Sequence, residues 1–183
     1  MASLDDSIKK FDSLVNTLER EIPRIIISQN VTAKSLVQNR IQETGKNKQG
    51  SQLGNYSNRP IPAFFFIGKG KKTTDAKLKK LAREKKNISY AEFRRLDGKQ
   101  NEHVDLTFTG KMWRGIGLTT SNTSGKKTSV KIGPKDGRTD KVAGYNRDRY
   151  GDFLDLSEDE IKQIEEDVQF EIEQILNTEL NGL

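Results

Sequence analysis

The chain contains no cysteine among its 183 residues, which excludes disulfides, thiolate metal sites and cysteine nucleophiles and fits synthesis in a cytoplasm. Histidine is nearly as scarce. His103 stands alone, so no pair of imidazoles can ligate a metal and no histidine-based acyl-transfer triad finds partners. No apolar run approaches the ~20 residues that span a bilayer, and the first residues lack a basic-then-apolar signal pattern. A soluble, unprocessed protein with no membrane partner is expected. Hydrophobic residues make up 32% of the chain, no more than the charged ones, so some segments are expected to be arms or loops that become ordered on a partner.

The net charge of +6 conceals a partition. Residues 1–58 hold 8 basic and 6 acidic side chains, residues 59–149 hold 23 and 9, and residues 150–183 hold 1 and 11. Such a bipolar chain can bind an acidic polymer through its middle or pair head to tail with copies of itself. The length suits a single domain over 1–183, divided into a helical arm (1–44), a basic Gly- and Pro-containing loop with an apolar cluster (45–72), short helices and strands (73–150) and an acidic helix (151–183).

Leu4, Ile8, Phe11, Val15, Leu18 and Ile22 recur in steps of four and three, which predicts one narrow apolar face on a helix beginning near Ser3. Pro23 predicts a kink or restart, after which Ile26, Ala33, Val37 and Ile41 continue to a stop near Gly45. The stripe makes Ile8, Phe11 and Val15 candidates for a subunit interface. So are Phe64, Phe65 and Phe66, because three successive phenylalanines cannot all face one core if the segment is extended. Asp75 to Lys86 predicts a lysine-studded helix, and Ser89-x-x-Glu92 a capping box opening another.

Val104, Leu106 and Phe108 alternate with polar residues, the period of a half-buried strand, and Gly110 supplies a sharp turn before Trp113. Phe108, Gly110 and Trp113 are therefore candidate core anchors. Ile116 with Leu118, Val130 with Ile132, and Val142 with Tyr145 complete an expected four-stranded antiparallel meander. At the end, Ser157 and Glu160 form a second capping box, and Ile161, Ile164, Val168, Ile172, Ile175 and Leu176 predict an amphipathic helix with an acidic opposite face. The expected fold class is α+β: a small sheet packed by a long kinked N-terminal helix and an amphipathic C-terminal helix.

Catalytic signals are weak. The Gly68–Thr74 stretch GKGKKTT resembles a phosphate loop, but Phe65 stands where its first glycine belongs. Asp97, Glu102 and Asp105 lie near lysines and could hold magnesium for a nuclease, though their spacing matches no specific nuclease pattern. No catalytic residue, metal or cofactor is expected. The basic middle allows non-specific contact with a nucleic-acid backbone and lacks the interleaved aromatics of base stacking.

The order of features is more telling. A long helix, the loop GKNKQGSQLGNYS, the segment FRRLDGKQNEHVDLTFTGKM, a hairpin, the turn GYNRDRYGDFLDLSEDE and a terminal helix follow one another. This order resembles the virion-morphogenesis and tail-completion proteins of tailed bacteriophages, the small neck components that join head to tail. Phe108-Thr109-Gly110-Lys111-Met112 matches their hydrophobic-x-Thr-Gly-hydrophobic segment, and Arg149, Gly151, Phe153, Leu154, Leu156 and Ser157 match their entry to the last helix. The family's aromatic-alanine pair is here Gly144-Tyr145.

The resemblance implies a non-catalytic virion protein, assembled in a bacterial cytoplasm as a ring of six or twelve copies. Its partners would be the head connector or adaptor, the tail tube or tail terminator, and genomic DNA passing non-specifically through the lumen. Lys69, Lys71, Lys72, Lys79, Lys80, Glu165 and Glu166 then become candidates for DNA-facing or ring-stacking charge, with the acidic helix face expected toward the channel. A nucleic-acid-coating module or a metal-dependent nuclease are the alternatives of another class.

Overall fold

The structure, a computed structural model, describes residues 4–107, 109–125 and 127–181. Helices α1 (Leu4–Ser28) and α2 (Asn30–Thr44) run almost continuously, since the Gln29 N–H still donates to the Ile25 carbonyl at 3.2 Å and the Ala33 N–H to that of Gln29 at 2.9 Å. The expected restart at Pro23 falls instead at Gln29, and Pro23 lies within α1. Side chains compete for carbonyls at this position: Ser28 Oγ donates to the Ile25 carbonyl, which it shares with the Gln29 N–H, and Asn30 Nδ2 donates to that of Ile27. Gly45, in the left-handed region at φ 65, closes α2 through its N–H to the Ile41 carbonyl.

Two small cores follow. In the first, Ala63 and Phe66 of a 3-10 turn (Ala63–Phe66) pack on Leu78 of α3 (Lys72–Arg83), Ile88 and Phe93 of α4 (Tyr90–Leu96). The Phe66 and Phe93 rings stack at 4.7 Å. Strands β1 (Ile61–Pro62) and β2 (Asn87–Ile88) pair antiparallel beside them, with Ile61 opposite Ile88. Ser89 caps α4 by accepting from the Glu92 N–H at 3.0 Å, as its capping box predicts.

In the second core, Val37 and Ile41 of α2 meet Met112 and Trp113 of α5 (Lys111–Gly115), Ile116, Ala143 and Phe153. Trp113 is 3% exposed and meets Phe153 edge to face at 6.2 Å. Strands β3 (Ile116–Ser124) and β4 (Lys127–Pro134) form a hairpin with an irregularity between Leu118 and Thr120. Only the base of β3, at Ile116 and Gly117, is buried, so the hairpin projects from the core.

The fold is α+β, but the four-stranded meander is not what forms: the sheets are two separate antiparallel pairs. Val104 is buried in an irregular segment, and Leu106 sits at φ 51, outside any strand conformation. Phe108 lies outside the described residues. Val142 and Tyr145 belong to α6 (Gly137–Tyr150), because Asp136 is a helix cap whose carboxylate accepts from the Arg138 and Thr139 N–H groups. Finally α7 (Glu158–Asn181) opens on the predicted box, with the Ser157 N–H donating to Glu160 at 2.7 Å and the Glu160 N–H to Ser157 Oγ at 3.3 Å.

Helix α7 packs along α1 and α2. Arg40 of α2 fixes the junction, donating to Glu160 at 2.8 Å, to the Asp155 carbonyl at 2.7 Å and to the Lys46 carbonyl at 2.9 Å. Farther along, Gln29 Nε2 donates to Glu171 at 3.0 Å, so the interruption between α1 and α2 is itself tied to α7.

Candidate functional site

The first half of α1 leaves its apolar face uncovered. Ile8 is 52% exposed, Phe11 66% and Val15 38%, and Leu4 continues the row. Toward the centre the same face becomes half-buried at Leu18 and Ile22 and buried at Ile25. Val15, Leu18, Ile22 and Pro23 line a concavity of about 640 Å³ whose other wall is Gly125 and Thr128 at the hairpin tip. Large contiguous apolar surface of this kind is uncommon on a monomer.

The three phenylalanines divide. Phe66 is buried, whereas Phe64 and Phe65 are exposed and stack on each other at 4.2 Å. A 3-10 turn produces this, since it spreads three consecutive side chains around its axis. Lys69, Lys71, Lys72, Lys79 and Lys80 are all exposed, and so are Glu165 and Glu166. Gly110 takes φ 69 and leads directly into α5, which carries Trp113 into the second core.

The possible magnesium ligands are not brought together. Asp97 accepts from the Lys71 N–H at 2.7 Å and pairs with Lys99, Asp105 pairs with Arg94, and Glu102 is exposed. Among the described residues no three such side chains are gathered. Burial pushes the Asp97 carboxyl up, but the hydrogen bonds from Lys99, the Lys71 N–H and Thr74 together outweigh it and bring the group down to about 2. His103 has a packing role, its Nε2 lying 3.0 Å from the Gln42 carbonyl.

A site the sequence did not reveal lies between α4 and α6. It is built over the buried Arg94, whose guanidinium donates to Asp105 at 2.6 Å, to the Thr107 carbonyl at 2.6 Å and to the Gln100 carbonyl at 2.8 Å. The Tyr56 ring covers that guanidinium at 4.1 Å, and its hydroxyl donates to the other Asp105 oxygen at 2.5 Å. Burial, reinforced by the Asp105 hydrogen bond, holds the Tyr56 phenol well above its ordinary range. Burial likewise raises Tyr90, with Arg94 acting in opposition.

Above this knot opens a cleft of about 460 Å³. Buried Val104 and Met112 and half-buried Leu106 supply apolar surface beside Arg94 and Tyr56, and the exposed residues around it include Val142, Lys111, Arg138 and Arg149. Among the described residues no carboxylate lines it. Among the described residues Lys111, Arg138 and Arg149 form no ion pair, and Arg149 lies over the Tyr150 ring at 5.3 Å. The lining comes from four separated stretches, 55–57, 90–94, 104–112 and 138–150, so spacing offers no signal. Val104, Leu106, Gly110, Lys111, Met112, Val142 and Arg149 each carry a separate expectation in the sequence, as strand, turn or family-motif positions, and none points to a shared cleft.

Comparison of the chain with protein-family models, curated proteins and solved structures finds no match.

Proposed function

We propose that the chain is a structural subunit of the neck of a tailed bacteriophage, acting in a homo-oligomeric ring between head connector and tail and catalysing no reaction. The observation that carries this reading is the uncovered apolar row of Leu4, Ile8, Phe11 and Val15, continuous with the concavity beside the hairpin. Apolar side chains in such a row lose free energy only when a second surface removes them from water, at roughly 25 cal/mol per Å² of area covered. A ring supplies that surface once per subunit, and a heterologous contact between copies closes it.

The remaining features support the same assignment. The projecting β3–β4 hairpin is polar over most of its length and offers a solvated extension for a neighbour above or below. The exposed lysines of α3 and the preceding loop can meet phosphates of DNA in the lumen without reading its sequence. An adaptor ring on the connector and a tail terminator are variants of this role.

Electron micrographs of a lysate from phage lacking this gene test it. Filled heads beside separate, complete tails are expected. Intact particles from the deletion, or purified virions without this polypeptide, overturn the proposal.

A further inference from the structure

The geometry points to the basic cleft between α4 and α6 as the socket for the acidic outer face of α7 from a second copy of this chain. The inference rests on the ring reading above and names one of its contacts. Phe170 is 61% exposed on α7, with Glu166 one turn before it and Glu173 nearly one turn after, so a single helix face presents a phenyl ring flanked by carboxylates. Gln169 holds Glu173 in place with a 2.8 Å hydrogen bond. The cleft has the complementary arrangement: apolar surface at Val104 and Met112 with Val142 at its edge, and exposed Lys111, Arg138 and Arg149 without a carboxylate in the lining among the described residues.

Charge on the scale of the whole chain agrees. Residues 150–183 carry 11 acidic side chains against 1 basic, and residues 59–149 carry 23 basic against 9 acidic. A second copy is therefore the complement that this chain itself provides. DNA is the weaker occupant, because phosphates satisfy the basic side chains but leave the apolar surface uncovered. The contact joins two different surfaces, so each subunit keeps one free socket and one free helix face until the ring closes.

The absence of cysteine makes the test direct. Thr109→Cys at the cleft and Gln174→Cys, one turn beyond Phe170, are placed in separate full-length molecules, mixed, and treated with a short bismaleimide. Heterodimers are expected in the mixture and not in either protein alone. Arg138→Glu with Arg149→Glu in the cleft partner lowers the yield about tenfold or more, and Glu166→Lys with Glu173→Lys in the other partner restores it. No heterodimer under conditions where the unmodified chain oligomerises overturns the socket while leaving the ring reading intact. A chain monomeric at every concentration and missing from virions removes both. Binding of a duplex oligonucleotide that is lost on Arg138→Glu and Arg149→Glu, with no heterodimer formed, assigns the cleft to nucleic acid and overturns the proposal.

Discussion

Arg94 and Asp105 form an ion pair at 2.6 Å with only 1% and 9% of their side chains exposed. Each makes further hydrogen bonds: Arg94 to two carbonyls, and Asp105 with Tyr56 and the Thr107 N–H. The pair connects α4 to the irregular segment whose Leu106 packs against the second core, and Arg94 lines the cleft. Its role is therefore architectural, and both Asp105 oxygens are hydrogen-bonded within the chain.

Removing one partner should be far worse than removing both. Asp105→Ala leaves a buried guanidinium without a counter-charge and is expected to cost about 3–5 kcal/mol. Arg94→Lys should recover little, because an ammonium cannot reproduce the fork that reaches Gln100, Asp105 and Thr107. Arg94→Met combined with Asp105→Leu should lose less than the two single losses together. Chemical denaturation of Arg94→Met, Asp105→Leu and the double variant measures the coupling, and additive losses would contradict it.

Asp97 gives stability a defined acid limit. Its carboxyl is held at about 2 in the folded chain against 3.8 as the reference value, so folding favours the ionised form. Stability from this group is complete above about pH 5 and is lost as pH falls through 2, the folded form being fully protonated only below that; the total is about 2 kcal/mol. Denaturant midpoints measured from pH 5 to pH 2 should fall in the native chain and fall less steeply in Asp97→Asn.

Local signals in the sequence were reliable where one short stretch contained the whole physical cause. Ser89 with Glu92, Ser157 with Glu160, and Gly45 at the end of α2 all act within a turn of the backbone they serve. The misreadings arose where alternation competed with distant partners. Val104 and Leu106 alternate like a strand, yet Asp105 between them is drawn inward by Arg94 and Tyr56, and Leu106 takes a positive φ. Val142 and Tyr145 looked extended because the preceding GPKDGRTD reads as a turn, although its Asp136 is equally a helix cap. The cleft draws on four separated stretches of chain, so only folding brings it into view.

Gly45 and Gly50 both adopt positive φ, 65° and 79°, but in different surroundings. A Cβ at Gly45 would lie 2.5 Å from the His103 ring, which is itself held against the Gln42 carbonyl. At Gly50 nothing stands within 4 Å. Gly50→Ala should therefore cost only the backbone strain, about 1 kcal/mol, whereas Gly45→Ala adds overpacking for a total of about 2–4 kcal/mol. Thermal melts of the two variants distinguish them, and equal losses would refute the His103 contact.

The arm of α1 separates folding from assembly. Phe11 and Ile8 stand mostly in solvent within one chain, so Ile8→Ser with Phe11→Ser should leave monomer stability within about 0.5 kcal/mol per site. Ile25, on the same helix but 6% exposed, faces the interior, and Ile25→Ala should cost about 2–5 kcal/mol. If α1 docks on a neighbouring subunit, the ranking reverses for association: the serine pair abolishes oligomers at concentrations where Ile25→Ala still forms them at low temperature. Sedimentation velocity alongside circular dichroism reads both properties from the same samples. A serine pair that unfolds the monomer would place the arm in the fold of a single chain, and one that leaves association untouched would remove it from the interface.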